Sequence, residues 1–217
     1  MNKKIPQRTK TISKKIGIHW PHLHWIVLVL FVVLTGCSSQ QIAVNTSEIV
    51  LNDGAVLQLD ARQVKSMING VELELYGYNG QIPGPRLRVK QGTSIKVNFT
   101  NHLPEPTTIH WHGLRHNYKD DGVPGISQEP VMPGESYLYT LTFPDSGLFW
   151  YHPHVREDRQ QDLGLYANII VEPAIATLQQ DVQKEAFLMI DDILIENGKI
   201  PSYGNDSANF ALMGRFG

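Results

Sequence analysis

Between residues 47 and 173 apolar and polar residues alternate with a period of two, a pattern that a strand can bury and a helix cannot. Leu57 and Leu59 share one face of a first expected strand, and residues 71–76 alternate cleanly in a second. Leu87 and Val89 mark a third, and Ile95, Val97 and Phe99 a fourth. Tyr137, Tyr139, Leu141 and Phe143 mark a fifth, and Leu165, Ala167, Ile169 and Val171 a sixth. Turn-forming residues separate them: Asn79-Gly80, Pro83-Gly84-Pro85, Gln91-Gly92, Pro133-Gly134 and Ser146-Gly147. No helical stripe and no internal repeat interrupts the series. Many short strands at this spacing predict an all-β antiparallel sandwich or barrel.

The 217 residues suffice for one domain and part of another. Their formal charge of −2 conceals an uneven distribution. Lys3, Lys4, Arg8, Lys10, Lys14 and Lys15 precede residue 36 with no acid among them, which leaves the remainder strongly acidic. With no basic stripe beyond residue 36, nucleic acid is not an expected partner. An acidic surface is compatible with a cationic substrate without establishing one. The single cysteine, Cys37, excludes a disulfide within the chain and any site that needs two thiolates.

The early bases lead into an apolar run at residues 26–34, short for a membrane span and suited to the core of a signal peptide. The run ends at Leu34-Thr35-Gly36-Cys37, which resembles the lipobox of bacterial lipoproteins. That resemblance implies a cleaved leader, 1–36, and a lipidated Cys37; the alternative is an uncleaved anchor with a chance cysteine. Either way the rest is expected to be exported and held at the membrane, on the periplasmic or extracellular face of the envelope. Several acyl chains hold a protein firmly where one binds only weakly. His19, His22 and His24 belong to the leader and are set aside as ligands. Residues 37–46 read as a tether and 47–173 as the first domain. In 174–217 a linker precedes apolar residues 187–190 and 193–195, read as a new strand beginning a second domain. That remainder is too short for a second sandwich, so the chain is expected to be a fragment or truncated product.

The chemistry concentrates in two histidine pairs, Ile109-His110-Trp111-His112-Gly113 and Tyr151-His152-Pro153-His154-Val155. On extended chain, residues two apart point the same way, so each pair presents two imidazoles together. Neutral imidazole suits copper, zinc, iron and nickel, and the residue types alone do not choose among them. Pro153 suits a sheet edge or a strand end. His102 is assigned to a turn, His116 to the loop after the first pair, and Trp111, Trp150 and Tyr151 to packing.

The pairs sit among further motifs: Gly80-Gln81-Ile82-Pro83-Gly84-Pro85-Arg86-Leu87, Thr108 through Leu114, Asp121-Gly122-Val123-Pro124, Gln128, Pro133-Gly134, Gly147 through His154, Gly164-Leu165-Tyr166 and Ile169-Ile170-Val171. In order and spacing these resemble the first cupredoxin domain of the laccase-like multicopper oxidases, over residues 70–173. The resemblance implies a cupredoxin-like Greek-key β-sandwich carrying half the ligands of a trinuclear copper cluster. By the same resemblance His110 matches a ligand of the type 2 copper, and His112, His152 and His154 match ligands of the type 3 coppers. Asp121 matches a proton-delivering acid, with Asp120 a weaker match; a simple turn-forming role for Asp121 stays open.

The resemblance also implies what lies elsewhere. The His-Cys-His motif of a type 1 copper site is absent, as are the remaining cluster ligands. The chain alone is therefore not expected to oxidise substrate; the missing carboxyl-terminal cupredoxin domains are its implied partners. The parent protein would pass electrons singly from a phenol or a metal ion to dioxygen, giving water. The alternative is a non-catalytic cupredoxin-like module with a copper-binding or structural task. A copper nitrite reductase relative is disfavoured, because its first domain would carry a type 1 cysteine and methionine.

Overall fold

The computed structural model describes residues 47–175 and 185–201. The leader, Cys37 and the tether lie outside the described residues. Among those described, the alternating segments form β1 (Glu48–Val50), β2 (Val56–Ile68), β3 (Val71–Tyr78), β4 (Arg86–Lys90), β5 (Ser94–Asn101), β6 (His110–His112), β7 (Ser136–Thr142), β8 (Gly147–His152) and β9 (Ala167–Glu172). One sheet runs β1-β4-β9-β8-β6 and the other β3-β2-β5-β7. A 3₁₀ turn at Tyr118–Asp120 and a single helical turn, α1 (Glu157–Gln160), complete the regular structure. No helix among the described residues is long and apolar enough to cross a membrane.

The sandwich is all-β, as the alternation requires, but its pairing is mixed rather than antiparallel throughout. β1 with β4, β2 with β5, and β4 with β9 run parallel. The reason is topological: the chain crosses between sheets, so β2 pairs with β5 as well as with its neighbour β3, and β4 pairs with β1 and β9 rather than with β3 or β5. Leu57, Leu59, Ile95, Val97, Phe99, Tyr139 and Leu141 of one sheet share a core with Leu87, Val89, Trp111, Tyr151, Ile169 and Val171 of the other. Each large side chain removed from water here contributes roughly 1.5–3 kcal/mol.

Two elements exceed their sequence signal. β2 continues well past Leu59, because its outer half pairs with β3; in that half only Val64 and Ile68, both partly buried, pack against the core, so its alternation is weak. Asn69 and Gly70 close that hairpin with φ of 51° and 80°, the left-handed pair a two-residue turn needs. β1 is three residues long, and side-chain charge secures it. Arg88 reaches Glu48 at 3.0 Å, Glu172 at 2.8 Å and Glu185 at 2.9 Å, while Arg86 adds a bond to Glu48 at 2.8 Å.

Residues 187–195 do not form the expected strand. They have no ladder partner among the described residues, and an apolar run without a neighbouring strand has nothing to satisfy its backbone as a sheet. Phe187 lies against the Arg86 and Arg88 guanidinium groups, at 5.0 and 5.5 Å. Ile193, Ile195 and Ile200 rest against the first domain's core, and Leu188 and Ile190 stay exposed.

The approach to β6 is fixed across the sandwich. The Ile109 backbone N–H donates to the buried Tyr139 hydroxyl at 3.0 Å, joining the β6 segment to β7 in the opposite sheet. Tyr139→Phe removes the acceptor and leaves a buried N–H unpaired. Urea unfolding should show a loss of about 1–3 kcal/mol, whereas Tyr137→Phe, whose hydroxyl makes an exposed bond, should cost less.

Candidate metal centre

β6 and β8 pair antiparallel with His110 opposite His152, Trp111 opposite Tyr151 and His112 opposite Trp150. Directly opposed residues share a face. Trp111 and Tyr151 therefore enter the core together, both fully buried, and the alternation turns His110, His112, Trp150 and His152 to the other side. Pro153 follows the last residue of β8, at the strand end its missing N–H suits. His154, one step further, returns to the same cluster: its ring centroid is 4.5 Å from that of His110 and 5.3 Å from that of His152. Trp150 stacks on His152 at 4.0 Å and flanks His112 at 5.0 Å, forming an aromatic wall.

A ligand atom from each of His110, His112 and His152 lies within 4.8 Å of the others. The outward nitrogens explain how they are aimed. Nδ1 of His110 donates to the Asp121 carbonyl oxygen at 2.8 Å, and Nδ1 of His152 to the Pro153 carbonyl at 2.9 Å. Nδ1 of His154 faces a Glu157 carboxylate oxygen at 3.0 Å, three residues on at the start of α1. Each bond fixes a tautomer that leaves Nε2 free to bind a metal. His112 differs by presenting Nδ1, which stands 3.2 Å from Nε2 of His152. Burial pushes the His152 pKa down to about 4, with the neighbouring imidazoles adding to the effect and the Pro153 bond opposing it. That ring is neutral near pH 7, as a ligand must be.

A polar scaffold holds the loops behind the cluster. Gln160 is completely buried; it accepts from Thr107 Oγ1 at 2.7 Å and donates to the Pro106 carbonyl at 2.9 Å. The Thr108 hydroxyl accepts from the His154 backbone N–H at 3.2 Å. Gly122 packs so closely that a Cβ there would meet the Ile109 carbonyl oxygen at 1.9 Å, and its φ is +73°. The Asp121-Gly122 loop is thereby pressed against the strand that carries His110.

The two acids of that loop face different ways. Asp120 is buried and accepts from the Thr140 backbone N–H at 2.9 Å, tying the loop to β7. Asp121 Oδ1 instead lies 3.3 Å from His110 Nδ1 and 3.4 Å from His116 Nε2. All four histidines of the pairs thus come together with Asp121 beside them, and Asp120 does not. His102 is exposed in the turn after β5. His116 lies in the loop after β6, as expected, but its side chain is only 2% exposed, and burial lowers its pKa. Sequence reading missed His116 and Glu157. The i,i+3 spacing of His154 and Glu157 at a helix start was a usable signal for the second; nothing local marks the first.

A family model described as multicopper oxidase matches residues 60–175. Copper resistance protein A of Escherichia coli is 37% identical over 119 residues, which cover 55% of this chain and 19% of that protein. Laccase-1 of Cryptococcus neoformans is 36% identical over 137 residues, covering 61% of this chain and 22% of that protein. The crystal structure of a multicopper oxidase from Pseudomonas thermotolerans superposes with a TM-score of 0.55 at 41% identity, over 61% of this chain and 32% of that one. The chain belongs to the multicopper oxidase family, and copper is the metal this membership implies. It spans about a fifth of the length of these curated relatives.

Two outcomes test this geometry. Gly122→Ala meets both a positive φ and the Ile109 carbonyl, whereas Gly125, at φ +71°, has nothing within 4 Å of an added Cβ. Urea unfolding should show Gly125→Ala costing about 1 kcal/mol and Gly122→Ala clearly more. The His152 imidazole takes up its proton near 6.5 when unfolded and only near 4 when folded. The unfolded state binds more protons between those values, so stability of the metal-free protein should fall as pH drops through that window. His152→Gln should flatten that part of the urea-midpoint profile.

Proposed function

We propose that this chain is the amino-terminal part of a multicopper oxidase that couples one-electron oxidation of a reductant to reduction of dioxygen to water. In this reading it supplies half the ligands of a trinuclear copper cluster. His110 serves a type 2 copper, and His112, His152 and His154 serve type 3 coppers. The observation that carries the reading is the β6–β8 register, which sets the imidazoles on one face with their ligand nitrogens converging. The close approach of His112 Nδ1 to His152 Nε2 favours these two as donors to one ion.

The donor set fits copper, since neutral imidazoles accommodate it and, among the described residues, the converging ligand atoms are imidazole nitrogens. Copper, when bound, supplies the one-electron steps that dioxygen reduction needs. The chain's own residues hold the rings in their tautomers through the Asp121 and Pro153 carbonyls and the Glu157 carboxylate. Water formation also consumes protons, and the half-exposed Asp121 carboxylate beside His110 is placed to relay them. Trp150 and the packed loops limit solvent on one side of the rings.

The reductant is a phenol or a metal ion. A relative is described as a laccase and another as a copper resistance protein, in keeping with both classes. The partners are the carboxyl-terminal cupredoxin domains that would bring the type 1 copper and the remaining ligands, with residues 174–217 leading into the next domain. The basic leader, apolar core and Leu34-Thr35-Gly36-Cys37 favour export and a lipid anchor at Cys37. Four intact ligand positions weigh against a non-catalytic module.

Cu(II) titration of the 217-residue chain, followed by electron paramagnetic resonance, tests the site. Nitrogen superhyperfine structure is expected, and it should vanish in His110→Ala/His152→Ala. A copper signal unchanged in that double variant would sink the proposal.

A further inference from the structure

The buried His116 lacks an acceptor that the Asp121 carboxylate is placed to supply. His110 has one ring proton to offer if Nε2 binds metal, and Nδ1–H already serves the Asp121 carbonyl at 2.8 Å. Asp121 Oδ1, though only 3.3 Å from that nitrogen, receives nothing further from it. Among the described residues the other polar group against this oxygen is Nε2 of His116, at 3.4 Å. His116 has the matching deficit: its side chain is 2% exposed, and neither ring nitrogen has an aligned hydrogen-bond partner. A buried polar group left unpaired costs about 1–3 kcal/mol. A partly exposed carboxylate oxygen and a buried donor without an acceptor thus face each other across 3.4 Å.

We infer that His116 is a positioning residue: it donates Nε2–H to Asp121 Oδ1 and holds that carboxylate against His110. The inference rests on the reading of His110 as a metal ligand, and its role runs through Asp121 rather than through any contact with metal. A neutral imidazole carries one proton, and the geometry offers an acceptor only to Nε2, so the tautomer is specified. His116, Asp121 and His110 then form a chain leading from the buried loop to the cluster. Because Asp121 is partly open to water, a carboxylate without this bond would be free to turn outward, away from His110.

The tautomer can be read without metal, which separates this inference from the copper assignment. In the ¹⁵N-labelled, metal-free chain, long-range imidazole correlations should show His116 protonated on Nε2, with a ring proton shifted downfield by hydrogen bonding. That shift should disappear in Asp121→Ala. An Nδ1–H tautomer, or a ring proton indifferent to Asp121→Ala, would overturn the inference.

A variant pair then addresses the effect on the cluster. His116→Leu keeps an apolar filling and removes the donor, whereas His116→Gln places an amide N–H where Nε2 lies. With both folded by circular dichroism, His116→Leu should weaken Cu(II) binding by about tenfold, and His116→Gln should restore it to within about twofold. A purely structural residue would not prefer the polar replacement, so equal affinities in the two variants would also overturn the inference.

Discussion

The burial of Trp111 against Tyr151 and Tyr139 governs everything at the histidine face. Trp111 is fully buried, with ring centroids 5.5 and 5.4 Å from those two tyrosines, and it belongs to a strand of only three residues at the edge of its sheet. So short an edge strand has few ladder bonds to define its register. The indole does so instead, because in a strand the side chains on either side of a buried residue must point the other way. His110 and His112 are where they are because Trp111 is in the core. Tyr151 does the same for β8 and is pinned by its own hydroxyl, which donates to the Pro85 carbonyl at 2.7 Å.

Around that packing, local contacts finish the aim of each ring. The approach to β6 is held from three sides: by the Tyr139 hydroxyl on Ile109, by Gly122 against the Ile109 carbonyl, and by Gln160 beneath Thr107 and Pro106. The loop from residue 117 to 125 is anchored by Asp120 to β7, which leaves Asp121 to face the imidazoles. Two adjacent aspartates thus do unlike work, one spent on backbone satisfaction and one turned to the cluster.

The strands that bury one face were legible from sequence because burial writes a period of two into the chain; Leu87 with Val89 and Ile95 through Phe99 are examples. The outer half of β2 and the short β1 were not, since a half-strand that turns only Val64 and Ile68 to the core and a charge-secured edge leave little such record. The apolar run at 187–195 forms no ladder among the described residues: Phe187, Ile193 and Ile195 lie against the first domain, and Leu188 and Ile190 stay exposed. Parallel pairing lay beyond reach, being a property of crossovers rather than of residues. At the site, the histidine pairs and Asp121 could be named because spacing and resemblance coincide there. His116 could not, because its environment is supplied by a loop that folds back on it, and nothing next to it in sequence shows this.

The β6 register has a consequence for errors. A slip by one residue would drive His110 and His112 into the core and expel Trp111, trading a buried indole for two desolvated imidazoles. No intermediate register keeps half of the arrangement. A molecule that is wrong at the histidines is therefore also wrong in its core. Fidelity of the histidine geometry is thus inherited from stability, and whatever selects against the wrong core also selects against the wrong histidine face.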